Sequence, residues 1–227
     1  MRIAVLIAAS VLVAGCSDAV DGQAQRPEPT LSAPSGTTRP SPSPSPTTTP
    51  PAGPPAGQAP VAEVIRWVEA GAPAAADGFH TVSRDGISTD LGEEIAFTTP
   101  SGTSRCMTDR RAEGALTCLV ELTDPPPRPA DVYGEWKGGW VDYPGASLDV
   151  GSAHGDPGPF SDGFGAELPY GHTLAFGDYR CRTDPAGLFC VNYAHQSAAR
   201  FSDAGVVTFG CLEQQPPAPG IGLRFSC

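Results

Sequence analysis

The chain has 227 residues, with 27 glycines, 26 prolines and a formal charge of −11 from 14 basic and 25 acidic side chains. One lysine, Lys137, and thirteen scattered arginines supply no basic face to release phosphate counterions and no polybasic patch, which excludes nucleic acid as a partner and charge-driven membrane binding. Beyond the leader, no apolar run reaches the roughly 18 residues that a transmembrane helix requires.

The first residues read as a targeting segment. Arg2 provides a short positive region, and Ile3 to Ala14 is apolar apart from Ser10, about the length of a signal-peptide core and too short to span a bilayer. The segment ends Leu12-Val13-Ala14-Gly15-Cys16, which resembles the lipobox of bacterial lipoproteins. That resemblance implies a signal peptide over 1–15, cleavage before Cys16, and a diacylglycerol and palmitate-type acyl chains on Cys16. The alternative is an ordinary secretory signal in which Cys16 has no special role. Two or three acyl chains hold a protein firmly where one does so only marginally. The expected location is therefore the extracytoplasmic face of the cell membrane, anchored by lipid.

Residues 16–60 carry the lipidated cysteine and then a linker without hydrophobic periodicity. Twelve prolines fall between Arg26 and Pro60, densest in Arg39-Pro40-Ser41-Pro42-Ser43-Pro44-Ser45-Pro46. Such a sequence buries too little apolar area to offset its ordering entropy, so a disordered, extended spacer is expected. Thr37, Thr38 and Thr47 to Thr49 are candidate O-glycosylation sites of a mucin-like stalk.

Residues 61–227 are enough for one domain, and they hold 11 of the basic and 22 of the acidic residues. Val61, Val64, Ile65 and Val68 recur at helical spacing, and Gly71 and Pro73 end the run. Afterwards the chain reads as short strands, among them 79–82, 94–98, 115–121, 173–179, 188–193 and 206–209. Arg84-Asp85-Gly86, Asp162-Gly163 and Asp203-Ala204-Gly205 supply turn chemistry. The fold class expected is mostly β: a small disulfide-bonded sandwich or barrel with one short N-terminal helix.

Six cysteines remain after Cys16, an even number that in an exported domain implies disulfides. Cys181 and Cys190 are symmetric about Pro185-Ala186. A two-residue loop there places 181 opposite 190 at a non-hydrogen-bonded site, where Cα atoms lie close enough for a bridge; a bulge at Gly187 would shift this register. Ser104-Arg105-Cys106-Met107-Thr108-Asp109, followed by Gly114 and Cys118, repeats the pattern of Tyr179-Arg180-Cys181-Arg182-Thr183-Asp184, followed by Gly187 and Cys190. Two stapled hairpins of one design follow, and by elimination Cys211 pairs with Cys227. The rival use of cysteines, a zinc site, lacks any Cys-x2-Cys pair, and the histidines are scattered at 80, 154, 172 and 195. No metal and no cofactor is expected.

Phe97-Thr98-Thr99-Pro100-Ser101-Gly102, followed by Cys106 and Cys118, resembles the F-x-S/T-P-S-G-N-I-x-C signature of a family of exported actinobacterial proteins and lipoproteins. Leu168-Pro169-Tyr170-Gly171-His172, Gly177-Asp178-Tyr179-Arg180-Cys181 and Cys190-Val191-Asn192 are similar to that family's second half. The resemblance covers roughly 94–210, implies an envelope location with paired cystine hairpins, and adds no catalytic residue.

Catalytic signatures are sparse. Neither a Gly-x-Ser-x-Gly elbow nor a phosphate-binding Gly-x-x-x-x-Gly-Lys occurs. His154 near Asp156 is the one general-base pair that a hydrolase reading has available, and a solvated loop histidine is its plain alternative. Asp149, Asp156 and Asp162 offer oxygens to calcium but match no loop signature. The densest candidate is Tyr133-Gly134-Glu135-Trp136-Lys137-Gly138-Gly139-Trp140-Val141-Asp142-Tyr143. Tyr133, Trp136, Trp140 and Tyr143 form either an aromatic platform for a sugar ring or peptide, with Glu135 and Asp142 bonding hydroxyls, or the core of a short strand. The functional expectation is a non-catalytic, lipid-anchored envelope module that binds a wall component or envelope protein. Its alternatives are an inhibitor of a cationic, lysozyme-like enzyme and an envelope hydrolase.

Overall fold

The computed structural model describes residues 53–130, 132–154 and 157–227. The leader, Cys16 and the linker up to residue 52 lie outside the described residues. After Pro55, which is buried, the chain forms α1 (Val61–Glu69), β1 (Ala72–Pro73), β2 (Thr81–Arg84), β3 (Ile87–Asp90), β4 (Ala96–Thr98), β5 (Ser104–Asp109), β6 (Ala115–Val120), β7 (Glu135–Tyr143) and β8 (Ser147–His154). The second half adds β9 (Phe164–Glu167), β10 (His172–Phe176), β11 (Tyr179–Asp184), β12 (Gly187–Asn192), β13 (Ser197–Ser202), β14 (Gly205–Gly210), β15 (Glu213–Gln215) and β16 (Ile221–Ser226).

The strands form two sheets that do not close into a barrel, so the sandwich alternative is the one realised. One sheet has the order β1-β10-β11-β12-β13-β14, the other β15-β16-β8-β7-β6-β5-β4-β9-β2-β3. Their facing sides share one core that includes Phe97, Leu116, Val141, Leu148, Leu174, Leu188 and Phe201. Alternation turns the intervening residues outward. The expected strand 173–179 is in fact two, because Gly177, at φ 47°, and Asp178 turn the chain back between β10 and β11. Phe79, expected in a strand, lies in a 3-10 turn over Ala76–Phe79 that precedes β2.

Helix α1 covers the outer face of the six-stranded sheet. Val64, Trp67 and Val68 form its buried stripe, against Phe189, Val191, Ala198 and Phe209. Trp67 packs on Phe189 with ring centroids 4.6 Å apart. Arg182 lies with its guanidinium 3.9 Å from the Trp67 ring and donates to the Trp67 carbonyl at 2.5 Å. A cation there satisfies an orphan carbonyl and opposes the negative end of the helix dipole. Burial pulls the Arg182 pKa down, while Asp184 acts to raise it.

The repeat seen in the cysteine hairpins extends to whole meanders. Across β4 to β8 the inward register runs Phe97, Cys106, Cys118, Val141, Val150. Across β10 to β14 it runs Leu174, Cys181, Cys190, Ala199, Thr208. Asp109 and Asp184, at the same place in the two halves, each accept a bond from the backbone N–H two residues on, at 2.8 Å. Each half also lends a strand to the other half's sheet: β1 pairs in parallel with β10, and β9 in parallel with β4.

Three disulfides close the framework. Cys106–Cys118 and Cys181–Cys190 both have Cα atoms 4.1 Å apart, the short separation of non-hydrogen-bonded cross-strand pairs. The register 184:187, 183:188, 181:190 contains no shift at Gly187. Cys211 is bonded to Cys227, joining the start of the crossover after β14 to the end of β16. Replacing Trp67 with Ala should destabilise the domain by about 3–5 kcal/mol, since a ring 2% exposed is lost and Phe189 and Arg182 are left facing a cavity. Chemical denaturation with unchanged disulfides checks this.

Candidate functional site

The aromatic stretch lies on β7 and in the turn before it, and the structure distributes its members. Tyr143 points inward, fully buried; its hydroxyl lies 2.7 Å from that of Ser197, and its carbonyl accepts from Tyr179 at 2.6 Å. Burial drives its phenol pKa well above the usual range. Trp140 lies on the opposite face of β7, 3% exposed, in a second small cluster with Val82, Met107 and Phe160. Its indole N–H donates to Asp142 at 3.0 Å, His154 stacks on it at 3.6 Å, and Phe160 meets it edge-on at 5.5 Å. Trp136 is half-buried and donates to the Pro126 carbonyl at 3.0 Å. Tyr133 is 95% exposed. The four rings therefore share no common surface. Glu135 lies 3.8 Å from the Lys137 ammonium, and Asp142 is engaged by Thr117 as well as Trp140.

His154 belongs to the Trp140 cluster, while Asp156 lies outside the described residues. Asp149 sits directly across from Asp142 in the ladder and 3.6 Å from Arg224. Asp162 ends the 3-10 turn Gly158–Asp162. Among the described residues no group of three or more His, Cys, Asp or Glu side chains is placed to hold a metal ion. Burial raises the Asp149 pKa, Arg224 opposes the shift and Asp142 adds to it.

Sequence reasoning missed an acidic groove at one end of the sandwich. It is a cavity of about 430 Å³ whose walls come from both sheets, within the size range of ligand sites. Ile95, Ala115, Pro144 and Phe176 supply apolar surface, and Glu93, Glu94, Glu113 and Asp178 supply carboxylates. No lysine or arginine lines it; the one basic side chain is His195. Glu94 accepts from Thr108 at 2.6 Å, while Glu93, Glu113 and Asp178 are exposed and make no ion pair among the described residues.

The groove lies where the two halves differ. It is bounded by the β5–β6 loop and by the β10–β11 turn. The corresponding place at the other end lies between the β11–β12 loop and the β4–β5 turn, and there the cavity is only about 110 Å³. The β5–β6 loop spans five residues, 110–114, whereas the β11–β12 loop has two, Pro185 and Ala186. The longer loop turns with Glu113 at φ 56° and Gly114 at φ 77°, and it holds the groove open. No single motif spells this site, because its carboxylates come from three separate stretches of sequence.

The fold and site together define a two-sheet, three-disulfide β domain with an acidic end groove. Neither a family model, a curated protein nor a solved structure matches the chain.

Two outcomes follow from these placements. Trp140→Ala should cost about 3–5 kcal/mol, and the half-buried Trp136→Ala about half as much, measured by denaturant unfolding. For Asp149 the folded pKa stands above the unfolded value, so its favourable contribution is complete below the unfolded pKa of about 3.9 and is lost as pH rises through the folded one. An Asp149→Asn chain, which has no proton to lose, should therefore gain on the wild type in melting temperature between pH 3 and pH 7.

Proposed function

We propose that this protein is a lipid-anchored, extracytoplasmic binding module that captures a cationic partner in the groove beside Glu93, Glu113 and Asp178. The carrying observation is the cavity itself: concave, partly apolar, rimmed by carboxylates and without a lysine or arginine. A lysine or arginine side chain, or an amino sugar, presents the apolar stem and positive head that such a surface accepts. The module is non-catalytic in this reading: it needs no general base, metal or cofactor, and complementarity alone supplies specificity. Where the partner is a cationic wall-degrading enzyme, the same groove makes the module an inhibitor. The lipobox-like sequence at Cys16 and the three disulfides support residence outside the cytoplasm.

The full chain should bind a fluorescent hexalysine peptide, and hexaglutamate should not compete. Glu93→Gln, Glu113→Gln and Asp178→Asn together should weaken binding at least about tenfold. Asp77→Asn, Asp85→Asn and Glu213→Gln, an equal change of charge elsewhere, should change it less than about twofold. Equal losses in both sets would reduce the effect to net charge and sink the groove. Cys16→Ala should move the protein from the detergent to the aqueous phase; unchanged partitioning would refute the anchor and leave the groove untouched.

A further inference from the structure

The 110–114 loop that opens the acidic groove has a second side. Ala112, Glu113 and Gly114 line the groove, whereas Arg110 and Arg111 line a separate and larger cavity of about 500 Å³. Glu94, which accepts from Thr108 at 2.6 Å, lines both and forms the partition between them. The apolar surface of the second cavity comes from Leu91 and Met107, at the border of the Trp140 cluster, and from Pro157 and Pro159. Thr89 and Asp90, at the end of β3, supply one polar wall, and Ser161 and Asp162, at the end of the 3-10 turn, supply another.

The charges around this cavity are kept apart by sign. Arg110 and Arg111 sit together just after β5, while Asp90 and Asp162 come from the other two walls. None of these four makes an ion pair among the described residues. Asp109 is engaged by the Arg111 backbone N–H and Glu94 by the Thr108 hydroxyl. Asp90 accepts only the backbone N–H of Gly92, at 2.8 Å, so it and Asp162 keep carboxylate oxygens for a ligand. The internal repeat shows what the hairpin alone requires. In the second half Asp184 runs straight into Pro185-Ala186, with no arginine pair, and helix α1 covers that outer face, with Arg182 standing where Met107 stands here. Arg110, Arg111 and the open space over Met107 are therefore additions to the shared design.

We propose that this cavity is a second binding site, for a short zwitterionic peptide. The peptide carboxylate lies at Arg110 and Arg111, its ammonium faces Asp90 and Asp162, and an apolar side chain rests on Leu91 and Met107. Adjacent guanidiniums offer a carboxylate charge-assisted, bidentate hydrogen bonds. Charge selects the class of ligand. A simple anion is repelled by the carboxylates of the walls, and a simple cation by the two arginines, whereas a zwitterion can place each end against its opposite. Size sets the limit: the cavity holds about 17 times the volume of a liquid water molecule, which suits a di- or tripeptide. The site takes none of its ligand contacts from Glu93, Glu113 or Asp178, so it does not depend on the cationic groove.

The test is a ligand-observed NMR titration of the full-length chain with the dipeptide Ala-Leu. Ala-Leu should bind, and its N-acetyl and its C-terminal amide forms should each bind at least about tenfold more weakly, since each lacks one charge. Arg110→Gln with Arg111→Gln should weaken Ala-Leu at least about tenfold and bring the acid and the amide to equal affinity. Asp90→Asn with Asp162→Asn should do the same for the free and the acetylated amine. All four side chains are exposed, so both variants should melt as the wild type does. The groove variant, Glu93→Gln, Glu113→Gln and Asp178→Asn, should bind Ala-Leu unchanged. No response at about 10 mM Ala-Leu would overturn the proposal. So would equal binding of either blocked peptide, or a loss caused by the groove variant and not by the arginine variant. Hexalysine binding would survive each of those failures, and the arginine variant should retain it, so the two sites stand or fall separately.

Discussion

Two disulfides at non-hydrogen-bonded positions, Cys106–Cys118 and Cys181–Cys190, face one another's sheets across a single core. A bridge at such a site does more than restrict the unfolded chain. It sets the parity of its hairpin, and parity decides which side chains are buried and which backbone groups meet which neighbour. From Cys190 that parity passes to β13 and β14 without a free choice. From Cys118 it passes to β7, where it puts Val141 and Tyr143 inside and Trp140 outside. Slipping either hairpin by one residue would turn its buried set to solvent and part the sulfurs. The two bridges thus act as register pins for sheets that have few other devices against slippage.

The two halves are alternate solutions of one design. Each is a five-stranded meander with its bridge between the second and third strands, and each takes a parallel strand from the other half. That exchange makes the halves interdependent, because neither sheet is complete without a strand from the other's sequence. The outer faces are then covered by different means. Helix α1 lies on one, clamped by Arg182 beneath Trp67; the Gly158–Asp162 turn brings Phe160 onto Trp140 on the other. The equivalent of Arg182 in the first half is Met107, which packs in the Trp140 cluster where Arg182 caps a helix. One position in the repeat therefore has two uses, chosen by what covers it.

Much of this was legible in the sequence, for physical reasons that differ by element. Helix α1 announced itself by the spacing of Val61, Val64, Ile65 and Val68, since a short amphipathic helix needs little else. The Cys181–Cys190 register followed from a two-residue loop, where local geometry leaves almost no freedom. Trp140 and Tyr143, in contrast, read from sequence as either an aromatic platform or the core of a short strand; both are buried, but on opposite faces of β7, because odd spacing in a strand sends side chains to opposite sides. Trp136 reads from sequence as either core or platform, and its bond to the Pro126 carbonyl depends on a loop that carries no periodic signal. The acidic groove was invisible for a stronger reason. Glu93, Glu113 and Asp178 become neighbours only once the two meanders stack, and no window of sequence contains that event.

Where recognition can occur is constrained by the same packing. Helix α1 on one face and the Trp140 cluster on the other take up much of the outer surface of both sheets, and their shared interior is filled by the bridges and by Phe97, Leu116, Leu174 and Phe201. The filled interior leaves concavity to the surface: a cavity of about 500 Å³ lies between β5 and the Gly158–Asp162 turn, and a cleft lies at each end of the sandwich, between loops. There the repeat imposes near-equivalence: each end joins a cystine-hairpin loop from one half to the turn before the cystine hairpin of the other. An exact repeat would give two shallow clefts. The five-residue 110–114 loop breaks that equivalence and deepens one end, while the tight Pro185-Ala186 turn leaves the other at about a quarter of the volume. Loops tolerate lengthening at small entropic cost, roughly 0.6 kcal/mol for each doubling, whereas the paired strands do not tolerate a change of register. A cystine-pinned frame with one extended loop is therefore a low-cost way to acquire a site: the bridges absorb the constraint of register, and the loop is left free to supply shape and charge.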